Sequence, residues 1–144
     1  MTYTVIALIY RKPGLTPAQF RTHYDTVHVP LLKSLVGDTF PITHTRNYVT
    51  RTRTRSDDMA PTSISSDSNN ELWLPTLYRG QPSDFPYDSM TVMVWEDKTA
   101  FERFCEVFYH EEVQEKMQDD EEKFIDRRFR MVCALEEPIV TRRE

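Results

Sequence analysis

Apolar positions follow two rhythms along this chain, and the change from one to the other marks its elements. Val5-Ile6-Ala7-Leu8-Ile9-Tyr10 runs without a polar interruption inside Tyr3–Arg11. Such a run, rich in β-branched and aromatic residues, predicts a strand covered on both faces. Lys12-Pro13-Gly14 ends it. Thr16-Pro17-Ala18-Gln19 then predicts a helix start, with Thr16 as N-cap, Pro17 at the first helical position and Gln19 closing a capping box. Phe20, Tyr24, Val27 and Leu31 recur at helical spacing on one face. Pro30 lacks the N–H that the Thr26 carbonyl would accept, which predicts a kink. Gly37-Asp38 stops the helix.

Ile42–Thr54 predicts a second strand, with Thr and Arg alternating at its far end. Residues 54–70 are polar, Ser-rich and aperiodic, which suits a loop rather than a domain boundary. Leu72-Trp73-Leu74 and Leu77-Tyr78 are apolar again before Gly80, Pro82 and Pro86 return the chain to loop. Met90–Trp95 predicts a third strand. Thr99-Ala100-Phe101-Glu102 suggests another capping box, followed by Phe101, Phe104, Cys105 and Phe108 on a helical face that Val113 and Met117 extend. The acidic run 119–122 suits the N-terminus of a further short turn. Phe129, Met131, Cys133 and Leu135 alternate in a last strand. This order predicts an α+β, ferredoxin-like βαββαβ domain over 1–144, with a flexible insertion at about 54–86. Its four-stranded antiparallel sheet carries both helices on one face. A first strand apolar on both sides then calls for cover on the other face, and a homodimer would supply it.

Composition narrows the class without choosing the chemistry. The 144 residues are 39% hydrophobic and 28% charged, enough for a core. A net charge of −5 argues against nonspecific nucleic-acid binding. No apolar run approaches the ~20 residues of a membrane helix. Arg11-Lys12 follow the first apolar run, the reverse of a signal peptide's charge order, and there are only two cysteines. A reduced, cytoplasmic setting is expected. Three glycines supply no phosphate loop, and His23 and His28 stand five apart rather than at helical zinc-ligand spacing. No metal, flavin or nicotinamide is expected.

Acid–base candidates are the four histidines, whose ordinary pKa lies near neutrality. On the first helix His28 and His23 flank the apolar face. Asp25, three residues before His28, is placed to orient its imidazole; the competing reading makes His28 a helix-end cap. His44, Arg46 and Tyr48 share parity on the second strand and so share a face. Under the helices they would form a second acid–base group, an anion anchor and a hydroxyl donor; otherwise they form a polar stripe at a subunit interface. Tyr24, Trp73 and Tyr78 are expected to line the substrate's side, while Trp95 reads as core. His110, beside Glu111 and Glu112, reads as surface. Cys105 and Cys133 read as core, and Arg51, Arg53 and Arg55 either bind an anion or guard an exposed edge strand. Leu72, Trp73, Leu74, Leu77 and Tyr78 make the insertion a candidate lid, with static packing as the alternative.

Tyr10-Arg11-Lys12-Pro13-Gly14-Leu15-Thr16, then Phe20, His23-Tyr24 and His28-Val29-Pro30-Leu31, resemble the EthD family of the dimeric α/β-barrel superfamily. The segments Phe40-Pro41-x-x-His44-x-Arg46-x-Tyr48 and 120–126 (DEEKFID) look like its fungal, polyketide-tailoring branch. The resemblance covers most of the chain outside about 54–75. It implies a cofactor-free lyase or cyclase that dehydrates, decarboxylates or cyclises a small phenolic or β-keto substrate. His28, His44 and Tyr48 would be catalytic, with Tyr24, Asp25, Arg46, Trp73 and Tyr78 binding substrate. Haem- or quinol-related monooxygenases share the superfamily fold, and a non-enzymatic dimeric ligand carrier is the remaining alternative.

Overall fold

The computed structural model describes residues 1–54 and 72–143. Its strands are β1 (Tyr3–Ile9), β2 (Thr43–Tyr48), β3 (Arg51–Thr54), β4 (Leu72–Pro75), β5 (Ser89–Trp95) and β6 (Met131–Leu135). Four of them form an antiparallel sheet in the order β2-β5-β1-β6, and β3 pairs with β4 in a separate ribbon. With the ribbon set aside, this is the ferredoxin-like arrangement.

The helices are α1 (Pro17–His23), α2 (Val29–Val36), α3 (Lys98–Phe108) and α4 (Glu111–Phe124). They cover the face that carries Val5 and Trp95, where Leu32, Val36, Phe104 and Met117 complete a buried cluster. Strand register puts Met93 and Thr91 on that face too, opposite Val5 and Ala7. It also puts His44, Arg46 and Tyr48 there, opposite Met93, Thr91 and Ser89. A second, aromatic cluster joins Phe20, Tyr24 and Phe124. Phe124 is fully buried, and truncating a ring so placed costs about 3–5 kcal/mol. The Thr16 capping box forms as the sequence predicts, with Thr16 Oγ1 accepting from the Gln19 N–H and Gln19 Oε1 accepting from the Thr16 N–H.

Several local expectations give way to tertiary forces. The Ile42–Thr54 strand breaks after Tyr48 and Arg51 turns inward. Its guanidinium donates to Asp88 Oδ2 at 3.2 Å and to the carbonyls of Phe85, Tyr87 and Trp73. Arg51 is therefore a buried clamp between ribbon and sheet; Arg53 is exposed, and Arg55 lies outside the described residues. The third helix is capped by Asp97, whose side chain accepts from the Ala100 N–H, so it starts before the Thr99 box. The acidic run 119–122 sits in the last turns of α4, not at a helix start. Cys133 is exposed on β6 rather than core, while Cys105 is partly buried. Tyr78 is 98% exposed, so the apolar half of the insertion does not all pack; its polar half, 55–71, lies outside the described residues. Among the described residues no helix is long and apolar enough to cross a membrane.

Candidate active site

The residues joining α1 to α2 decide the site. Tyr24–His28 form a single π-helical turn, in which the Val29 N–H reaches back five residues to the Tyr24 carbonyl. Pro30 explains why the wider turn is tolerated: it has no N–H to offer Thr26, and it stands instead in the first turn of α2. Thr26 Oγ1 meanwhile donates to the Thr22 carbonyl at 2.6 Å, a contact that bends helices. A π turn brings positions i and i+5 into line, and such bulges are frequent at functional sites. His23 and His28, five apart, therefore stand over the same partner.

That partner is Asp120 from α4, buried beneath the aromatic cluster. His28 Nδ1–H donates to its Oδ2 and His23 Nε2–H to its Oδ1, each at 2.9 Å. The Phe124 ring, one turn further along α4, packs 4.9 Å from His28 and 4.6 Å from His23, centre to centre. Asp120 thus fixes the tautomer of His28, leaving Nε2 with a free lone pair. Nε2 has no hydrogen-bond partner among the described residues. Burial pushes the His28 pKa below its ordinary value, and the bond and charge of Asp120 push back only in part. The neutral imidazole is thereby favoured over the imidazolium. Asp25, the carboxylate expected to orient it, is engaged elsewhere.

Asp25 Oδ1 accepts from Arg46 Nε at 2.7 Å and from the Tyr48 hydroxyl. Arg46 in turn donates through Nη1 to His44 Nδ1 at 2.8 Å. Arginine has no acceptor, so His44 Nδ1 must be the unprotonated nitrogen and Nε2 must carry the hydrogen. Burial, with the charge of Arg46, lowers the His44 pKa to about 4. His44 is therefore a neutral N–H donor at pH 7, and too little of it is imidazolium to deliver protons. Tyr48 spends its hydrogen on Asp25, and burial and that bond raise its pKa. Arg46 bonds His44 and Tyr48 bonds Asp25, and neither Arg46 nor Tyr48 lines the cavity that His28 and His44 share.

His28, His44, Tyr24 and Thr91 line one cavity of about 240 Å³ between sheet and helices. Most of its remaining wall is apolar, including Ala7, Leu32, Met93 and Phe104. The Tyr24 hydroxyl pairs with Thr91 Oγ1 at 2.8 Å, which in turn pairs with Ser89, and burial pushes its pKa up to about 12. Trp73 and Tyr78 do not line this cavity: Trp73 stands on the ribbon, and Tyr78 is in solvent. His110 caps α4 and is exposed. Asp120, Glu121, Arg127 and Arg130 were not singled out by the sequence, although the 120–126 segment was. The signal that could have found Asp120 was an acidic residue one turn before an apolar Phe124.

The chain matches the EthD domain family over residues 12–128. No curated protein matches it. Among solved structures it is similar to an EthD family protein of Bacillus halodurans C-125, with 17% identity and a TM-score of 0.50. That match covers 96% of this chain and 100% of the other, and at such identity it speaks for the fold alone. The family match spans most of the chain, including both histidine clusters and Asp120, and on that ground the chain belongs to the EthD domain family.

Proposed function

We propose that this chain is a cofactor-independent lyase or cyclase acting on a small, largely apolar, polyketide-like substrate with a C–H bond next to a carbonyl. The observation that supports it is the Asp120–His28 pair, a neutral imidazole with a free Nε2 lining an apolar cavity. A phenolic or β-keto substrate has a C–H bond acidic enough for such a base, positioned within about 3 Å. His28 Nε2 takes the proton, and charge develops on the substrate oxygen. His44 Nε2–H is the donor on hand for that oxygen, worth about 3 kcal/mol in a site shielded from water. The Asp25–Arg46 pair holds His44 in the donor tautomer. The protonated His28 then returns its proton to carbon or to a departing hydroxyl, which completes isomerisation, ring closure or dehydration. In this reading two copies associate through the helix-free face of the sheet, where Ile6, Leu8, Met131 and Leu135 lie exposed or half-buried.

Enolisation is common to these reactions, so it can be tested without the natural substrate. We expect the protein to accelerate deuterium exchange at the acidic carbon of 2-tetralone in D2O, followed by NMR. His28→Ala should reduce the protein-dependent rate by about 10²-fold with unchanged circular dichroism. His44→Ala should reduce it by a similar factor. No acceleration by the wild type, or full acceleration by His28→Ala, overturns the proposal.

A further inference from the structure

We propose that Arg127 and Arg130 form a second subsite in the same cavity, one that holds a carboxylate on the substrate at the end away from His44. The inference rests on the reading of the cavity as a substrate site and specifies the class of substrate it takes.

Both arginines line the cavity, on a turn that packing holds in place. The turn begins where Ile125 bridges to Arg11 and the Asp126 N–H donates to the Tyr10 carbonyl at 2.8 Å. It ends where the Phe129 ring stacks on Tyr10 at 4.5 Å. Between the two, Arg128 faces solvent and pairs with Asp126. The chain thus turns Arg127 inward on a pinned loop and leaves Arg130, 53% exposed, at the cavity's rim. Two cations thus stand in the wall of a mostly apolar cavity.

The protein itself satisfies them only in part: Arg127 Nη1 donates to Glu122 Oε1 at 3.0 Å. Both guanidinium groups approach one atom, Glu121 Oε1, at 3.6 Å from Arg127 and 3.5 Å from Arg130. Such distances are long for charge-assisted hydrogen bonds, which are about 2.7–2.9 Å. Arg127 Nε is buried and has no hydrogen-bond partner. Burial raises the Glu121 pKa despite the two arginines. A guanidinium fork matches a carboxylate in two parallel hydrogen bonds, and a ligand carboxylate entering here would take the place Glu121 fills imperfectly. The entrance is on this side: Arg130 and Val132 are exposed.

The position separates this group from the chemistry. His44 stands on β2, one edge strand, and Arg130 directly precedes β6, the other. Three inter-strand spacings, about 14 Å in all, lie between those edges. A carboxylate held by the arginines is therefore a handle by which the substrate is oriented, and the carbon that His28 deprotonates belongs to the apolar body.

The test compares two neutral-bodied probes of one shape, 2-naphthoate and 2-naphthamide, by titration calorimetry. Wild type is expected to bind the carboxylate at least tenfold more tightly. Arg130→Gln, at a half-exposed position that tolerates change, and Arg127→Gln should each reduce that ratio several-fold while leaving the affinity for the amide unchanged. Equal binding of the two probes, no binding of either, or a preference that survives both substitutions overturns the subsite. Because the readout is binding, it is separable from tetralone exchange: exchange without a carboxylate preference removes the subsite alone, and a preference without exchange removes the proposed chemistry alone.

Discussion

Asp120→Asn is the most informative single change, because one buried carboxyl group organises both helix-one histidines. The substitution conserves volume, so packing around Phe124 and Tyr24 is kept. What it removes is the charge and one acceptor. Wild-type Asp120 accepts two hydrogen bonds at 2.9 Å in a site where its side chain is 5% exposed. Bonds to a charged partner contribute about 1.5–3 kcal/mol and neutral ones about 0.5–1.5 kcal/mol, so two exchanges cost about 2 kcal/mol. Urea unfolding should show that loss as a lower midpoint at constant slope. The second consequence is chemical. An Asn side chain presents one oxygen and one NH2, so one of the two imidazoles must accept where it formerly donated. Nitrogen NMR of the imidazoles should find one ring in the opposite tautomer. Loss of the charge that holds the His28 pKa up also weakens the base, and tetralone exchange should fall at least tenfold. A variant with the wild-type urea midpoint and both tautomers unchanged would refute the account of Asp120.

Three further outcomes follow from the same geometry. The His44 pKa falls from 6.5 to about 4 on folding, so the unfolded chain takes up this proton first: the associated stability is complete above about pH 6.5 and is lost as pH falls toward 4. Between pH 7 and pH 5 the wild type should lose about 2 kcal/mol more than His44→Gln, at 1.36 kcal/mol per pH unit; equal losses would sink it. Arg51→Met leaves three carbonyls without this donor and Asp88 with Arg11 alone and should cost about 3 kcal/mol, as other broken buried pairs do; a loss below about 1 kcal/mol would show the clamp to be idle. Ile6→Lys, at the centre of the helix-free face, should convert a dimer to a monomer in sedimentation, and a monomeric wild type at micromolar concentration would refute the dimer.

The sequence by itself determined the order of the sheet strands and main helices, the one-sided cover of the sheet, the Thr16 cap and the shared face of His44, Arg46 and Tyr48. All of these depend on spacing within one segment, and a helix or strand period is a local property. The family could be read from the same local strings. What only the tertiary structure decided is which groups meet across segments. Asp25 is three residues from His28 and looked like its partner, yet the partner is Asp120, 92 residues away. A π turn, which no periodicity announces, brought His23 and His28 onto one carboxyl group. Arg46 set the tautomer of His44, and burial set its charge state, so a residue expected to deliver protons became a neutral donor. Strand 42–54 divided because Arg51 found carbonyls from a distant loop. Arg127 and Arg130 reached the cavity wall only because the end of α4 is pinned beside Tyr10. Short-range sterics and hydrogen bonds write the elements; desolvation and ion pairing between elements, which depend on three-dimensional neighbours, write the chemistry.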